Sequence, residues 1–169
     1  MSNSVRRERL SDFPQHAEPE GIADGPNFAL AHLGAFAELG RYAIDHPLAE
    51  QAIAGKVFLK KLLGLTGMEI SFGTMPPRTT IPFFHKHQQN EEVYIFLSGA
   101  GEFRVDERIE PIREGSVVKI TPEGVRSFRN TCDVPMHYIV IQAQQGSLKQ
   151  WTGTDGVGVP GEVTWPERA

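Results

Sequence analysis

Two histidines one residue apart, His85 and His87, followed by the adjacent carboxylates Glu91 and Glu92, are the side chains of this chain best suited to chemistry. Side chains two apart on a strand point to the same face, so a strand through this segment aims both imidazoles at one point and turns Lys86 away. That is metal-ligand spacing. The polar residues 88–90 let the chain return into a second strand, and a carboxylate at the start of that strand lies across from the imidazoles. Two histidines and one carboxylate leave open positions on an octahedral divalent transition metal. This is the arrangement of non-haem iron oxygenases, although nickel, manganese and zinc also accept it.

The remaining reactive residue types are isolated. His16, His32 and His46 each stand alone and read as surface or hydrogen-bonded polar residues. Cys132, flanked by Thr131 and Asp133 in an expected turn, has no neighbouring partner and reads as an unreactive thiol. A single cysteine cannot form an intrachain disulfide, which excludes a stapled secreted scaffold and agrees with a reducing cytoplasm. With 17 Lys and Arg against 21 Asp and Glu, the net charge of −4 gives no general attraction for nucleic acid or anionic lipid. Arg6-Arg7 and Lys60-Lys61 are too short to form a basic patch, and no apolar run is long enough to span a membrane. The expectation is a cytoplasmic protein with a small-molecule ligand or substrate and neither nucleic acid nor membrane as a partner.

The elements that must position the pair follow from composition. At 169 residues, 40% hydrophobic and 22% charged, the chain is long enough for one domain with generous ends. Residues 1–26 are polar and proline-containing and are expected to form an arm. Residues 27–55 form an extension in which 27–39 fits helix or strand, and Pro47 through Ala54, closed by Gly55, reads as a short helix. From residue 56 to 145 the pattern changes to short runs rich in β-branched and aromatic residues: 57–59, 68–72, 93–97, 103–105, 117–120 and 137–141. Glycines and prolines punctuate them, as in an antiparallel sandwich or small barrel. The alternation of Met68, Ile70 and Phe72 with polar or small residues predicts one buried face, whereas 93–97 is apolar throughout and needs both faces covered, one of them by a second copy of the chain. Residues 146–169 form a tail that Trp151 and Trp165 are expected to anchor over the barrel or a neighbour. Phe72, Tyr94, Phe96 and Ile141 could line a ligand pocket but read more simply as core.

The segment around the histidine pair resembles the first motif of the cupin superfamily: a glycine, a His-x-His pair, a glutamate and a closing glycine. Gly73 opens it loosely, His85 and His87 match, and Glu92 has the better spacing to Gly99 than Glu91. Gly115, Pro122, Gly124 and Asn130 resemble the frame of the second motif. The chain departs from it where the family places a fourth ligand, a histidine, and Arg126 or Ser127 stands instead. His137, at the start of a later strand, is a candidate substitute ligand.

The resemblance covers roughly residues 56–144 and implies an all-β fold, a single jelly-roll β-barrel, often dimeric, here with an N-terminal arm and short helix. It further implies a metal held by His85, His87 and Glu92 and chemistry on a small polar metabolite. Oxygenase, isomerase, decarboxylase and lyase activities all occur on such barrels, so the reaction is open. Within that reading Glu91 would be a general base, and Arg126 would orient an anionic substrate or, beside a dication, mark a site without metal. The alternative expectation is a non-catalytic small-molecule-binding or sensor module without a catalytic metal. A homodimer suits both.

Overall fold

Alternation at a two-residue period builds the centre of the molecule, and the computed structural model describes it within residues 15–165. In the strand Asn90–Ser98 the side chains of Glu92, Tyr94 and Phe96 are buried, whereas Val93 and Ile95 are half-buried and Leu97 is exposed. The same rule runs through a five-stranded antiparallel sheet whose spatial order is β11 (Val117–Ile120), β8 (Asn90–Ser98), β13 (Met136–Gln144), β7 (Glu69–Met75) and β6 (Lys56–Phe58). A second, three-stranded sheet sets β9 (Ala100–Val105) between β10 (Arg108–Arg113) and β12 (Arg126–Asn130).

The two sheets enclose a core of Met75, Tyr94, Phe96, Phe103, Ile112, Ile120, Phe128, Met136, Tyr138 and Val140. Phe103 stacks on Phe128 at 5.8 Å between ring centroids, and Tyr94 and Tyr138 meet these rings edge-on. These are the offset and T-shaped contacts that the aromatic quadrupole favours. Tyr94 and Phe96 are therefore core residues.

The outer face of the larger sheet carries a second cluster. Val57, Leu59, Ile70 and Phe72 pack against Leu33, Phe36, Leu39 and Tyr42 from the N-terminal extension. The apolar face expected for 68–72 thus belongs to this layer, and Ser71, Gly73 and Met75 face the barrel core instead. The extension supplies β2 (Gly21–Gly25) and β3 (Phe28–His32) as a hairpin, then a 3-10 helix over Phe36–Arg41. It ends in a small ladder of β1 (Gln15–His16), β4 (Ala43–Ile44) and β5 (Ile53–Ala54). Of the expected arm 1–26, residues 1–14 lie outside the described residues.

The short helix of the extension is Phe36–Arg41, not residues 47–54. Isolated helices of such length are marginal without an apolar stripe to bury, and Leu48 is half-exposed here. The β-branched Ile53 pairs with Ile44 instead. Gly55 closes that strand with φ +78°, and a Cβ there would lie 2.5 Å from the carbonyl oxygen of Thr74. Gly55→Ala is therefore expected to cost about 1–3 kcal/mol, read by urea denaturation; an unchanged midpoint would show that the turn relaxes freely.

Two strands of the barrel sheets escaped the sequence pattern. β10 contains Pro111, which an edge strand tolerates because its outer backbone donors are not needed, and β12 is polar in composition yet almost wholly buried. Beyond the barrel, α1 (Lys60–Leu63) and α2 (Thr152–Asp155) are single turns. Trp151 and Trp165 are mainly exposed within this chain, so neither anchors the tail onto its own barrel. Among the described residues no helix is long and apolar enough to cross a membrane.

Candidate metal centre

The histidines sit on an irregular strand, residues 79–87, that runs antiparallel to β12. The amide of Ile81 donates to the carbonyl of Phe128 at 3.1 Å, and His85 and Arg126 exchange backbone bonds of 3.2 and 3.0 Å. Four residues on this strand therefore span two on β12, a bulge that begins at Pro82, which has no amide hydrogen to contribute. The amide of His87 is held by the carbonyl of Pro122 at 3.1 Å. Along the segment Ile81, Phe83, His85 and His87 are half-buried while Pro82, Phe84 and Lys86 are exposed. Lys86 reaches outward to Glu123, with Nζ 2.8 Å from Oε2. The predicted period of two thus holds through the bulge.

β8 brings Glu92 to the same place. His85, His87 and Glu92 offer ligand atoms that all lie within 4.8 Å of one another. Oε1 of Glu92 is 2.9 Å from Nε2 of His87, an ion-pair contact and not an aligned hydrogen bond. Nδ1 of His85 and Nε2 of His87 are both buried without a hydrogen-bond partner. Buried polar atoms are usually paired, so an unpartnered His85 nitrogen and a His87 nitrogen met only by the Glu92 carboxylate are a demand that a metal cation would satisfy. The donor set, two imidazoles and one carboxylate, fits a divalent transition metal.

The other carboxylate oxygen is committed to the protein. Oε2 of Glu92 accepts from the Tyr94 hydroxyl at 2.7 Å, from Arg126 Nε at 3.1 Å and from Arg126 Nη2. Nη1 of Arg126 donates to the carbonyls of Gly124 at 3.2 Å and His85 at 3.4 Å. With 1% of its surface exposed, the guanidinium lies behind the carboxylate and turns Oε1 toward the histidines. This is how a permanent cation coexists with a site built for another: the Glu92 charge faces both.

The same contacts set the protonation states. Burial alone would raise the Glu92 carboxyl, but contact with His87, the Arg126 charge and the Tyr94 hydroxyl outweigh it and hold the group at about 2. His85 is pushed down to about 4, by burial first and then by the Arg126 charge. Burial also raises the Tyr94 hydroxyl well above its ordinary value. At neutral pH the cluster therefore presents a carboxylate and, at His85, a neutral imidazole whose nitrogen lone pair is available.

Two sequence candidates lie elsewhere. Glu91 takes the opposite face of β8 and pairs with Lys119, Nζ to Oε2 at 3.1 Å. His137 sits on the outer face of β13, with its ring 6.0 Å from that of Phe36, because its neighbours Met136 and Tyr138 occupy the inner face. It does not join the three-residue cluster. Of the two candidates at the fourth-ligand position, Arg126 enters as described, and Ser127 donates to the carbonyl of Ile81 at 3.1 Å. Asn130 ties loops together, donating to the carbonyls of Met75, Pro76 and Val134, while its Oδ1 accepts from the backbone and thiol of Cys132.

Three neighbours of the cluster had not been singled out as functional. Phe83 packs its ring edge against His85 at 5.8 Å and stacks on His46 at 4.5 Å. Lys56 projects into the barrel, its Nζ 5.0 Å from the centroid of the Tyr138 ring. Only the alternation of Lys56 and Phe58 about the buried Val57 hinted at its direction, and a lone lysine beside a glycine reads as solvated in sequence.

Comparison with known proteins bears on the family and the fold. The model of the cupin domain matches residues 71–142. A crystal structure of a cupin protein from Bacteroides fragilis is 35% identical, with a TM-score of 0.61, and the match covers 69% of this chain and 100% of that one. A predicted oxalate decarboxylase from Thermotoga maritima is 20% identical over 55% of this chain and 79% of its own, with a TM-score of 0.47. A conserved protein with a double-stranded β-helix domain from Klebsiella pneumoniae is 14% identical over 68% of this chain and 90% of its own, at 0.49. No functionally curated protein matches the chain. The fold is the all-β jelly roll, and the match to the Bacteroides protein over its full length identifies the chain as a member of the cupin superfamily.

Proposed function

We propose that this chain is a metal-binding cupin that acts on a small polar metabolite, with one divalent transition metal held by His85, His87 and Glu92. The observation that carries the reading is the convergence of three ligand atoms within 4.8 Å, with a buried His85 nitrogen that has no hydrogen-bond partner and a His87 nitrogen met only by the Glu92 carboxylate. When bound, iron, nickel, manganese or zinc would supply Lewis acidity or oxygen activation there. The chain's own residues do the positioning. Arg126 and Tyr94 fix the Glu92 carboxylate by its rear oxygen, backbone bonds to β12 fix His85, and Phe83 shields one side of its ring. Three protein ligands leave coordination positions open to a small molecule.

The reading takes a homodimer in the cytoplasm as the working assembly. The half-buried Val93 and Ile95 and the exposed Val117 on the outer face of the larger sheet support the first, and the single cysteine supports the second. The test is elemental analysis by plasma mass spectrometry of untagged protein beside a folded His85→Ala/His87→Ala variant. Expected is near-stoichiometric metal in the wild type and less than about a tenth of that in the variant. Wild-type protein that stays empty after incubation with iron, nickel, manganese and zinc would leave the non-catalytic ligand-binding barrel in its place.

A further inference from the structure

Lys56 is the one inward cation among the residues described above whose charge no protein group neutralises directly. It forms a cross-strand row with Gly73 on β7 and Tyr138 on β13, since Lys56 pairs with Gly73 and Gly73 with Tyr138. A Cβ on Gly73 would lie 2.3 Å from the Tyr138 ring, so glycine at 73 is what lets that ring lie across β7 toward Lys56. The lysine Nζ sits 5.0 Å from the Tyr138 centroid and 5.5 Å from that of Phe58. Among the described residues it has neither a hydrogen bond nor an ion pair, and the Tyr138 hydroxyl likewise has no hydrogen-bond partner.

A half-buried ammonium without a counter-charge in contact is unfavourable unless something answers it. Burial pushes Lys56 down to about 8, with Glu92 and Glu69 opposing, so the group is still cationic at neutral pH. Its charge acts on Glu92 and on His46, whose ring stacks on the Phe83 that shields His85. The subsite thus lies within electrostatic reach of the metal centre. Arg126, expected from sequence to hold an anionic substrate, is 1% exposed and commits four of its five N–H donors to Glu92 and two carbonyls.

We propose that the Lys56 ammonium and the Tyr138 hydroxyl form a binding subsite for the carboxylate of a small anionic ligand, next to the His85, His87 and Glu92 cluster. The proposal rests on the reading of the barrel interior as a small-molecule site and not on the presence of metal. One positive charge and one hydroxyl donor match the two oxygens of a monoanionic carboxylate, whereas a phosphate dianion calls for more donors. The flanking rings of Phe58 and Tyr138 suit a short carbon chain.

The experiment titrates glycolate, lactate, acetate and malonate, with glycolamide and inorganic phosphate as controls, into wild-type protein and the Lys56→Met and Tyr138→Phe variants. Ligand-observed saturation-transfer NMR gives the affinities, and plasma mass spectrometry gives the metal content of the same samples. At least one carboxylate is expected to bind, about thirtyfold or more weakly to Lys56→Met and about fivefold more weakly to Tyr138→Phe, with metal content unchanged. In wild-type protein carrying ε-carbon-labelled lysine, assigned through Lys56→Arg, the Lys56 signal should move with that carboxylate and stay still with glycolamide. This readout does not depend on the folding of Lys56→Met. Undiminished affinity in Lys56→Met, an unmoved Lys56 signal, no binding by any of the carboxylates, or equal binding of phosphate or glycolamide would each overturn the proposal. Carboxylate binding by wild-type protein that takes up no metal would support the subsite while removing the metal reading.

Discussion

Replacing Arg126 with methionine is expected to lower the unfolding free energy of the metal-free protein by about 3–5 kcal/mol, measured by urea denaturation after chelation. Arg126 is 1% exposed and Glu92 4% exposed, so neither charge of the pair is solvated by water. Removing the guanidinium leaves a buried carboxylate with the Tyr94 hydroxyl as its remaining aligned donor and strips the Gly124 carbonyl of a side-chain partner. The penalty is that of an uncompensated buried charge, and a second substitution exposes it. In the Glu92→Gln background the same Arg126→Met change should cost at least about 2 kcal/mol less, because no charge is then stranded. Additive losses, or an Arg126→Met variant within about 1 kcal/mol of wild type, would show that the pair adds little to the fold. The result also separates two roles for Arg126. A substrate-binding arginine could be removed without such a loss, whereas the clamp behind Glu92 could not.

What was legible in the sequence follows from which interactions are local. The period of two along residues 83–87 put both histidines on one face, because strand geometry fixes which side chains share a face, and the resemblance to the cupin motif picked Glu92 over Glu91. The apolar runs 93–97, 117–120 and 137–141 fall within β8, β11 and β13 for the same reason. The buried strand β12 did not show itself, since Arg126, Ser127 and Asn130 owe their burial to partners 34, 46 and 55 residues away in Glu92, Ile81 and Met75. Such pairing leaves no periodic trace. His137 was weighed as a ligand from the strand it begins, but the face it takes depends on its neighbours: Met136 and Tyr138 fill the barrel, so the histidine goes outside. Lys56 was passed over because one lysine near a glycine looks solvated until Gly73 and Tyr138 are placed beside it. Residues 47–54 carry good local helix signals, yet pairing of Ile53 with Ile44 prevails over a helix that has no stripe to bury.

The metal-free protein should begin to lose stability below about pH 6.5, well before ordinary carboxylates titrate. His85 titrates at about 4 in the folded chain because burial and the Arg126 charge disfavour its cationic form, against 6.5 when unperturbed. As pH falls through that window the unfolded chain takes up the proton first. The stabilisation is therefore complete above about 6.5 and is lost at up to about 1.4 kcal/mol per pH unit until the folded imidazole titrates near 4, about 3 kcal/mol in all. Glu92 acts in the same sense at lower pH: its depressed value of about 2 against 4.5 gives stability present above 4.5 and lost between there and about 2. His46 and His137, also held down by burial, add to the upper limb. Denaturation of chelated wild-type protein and of His85→Asn between about pH 7.5 and 4.5 isolates the His85 share, because the variant should follow a slope shallower by about 1 kcal/mol per unit. Parallel slopes would mean that His85 is hydrated and ordinary. The expected difference bears on metal capture directly, since an imidazole that resists protonation keeps its lone pair for a cation at pH values where a solvated histidine has already surrendered it.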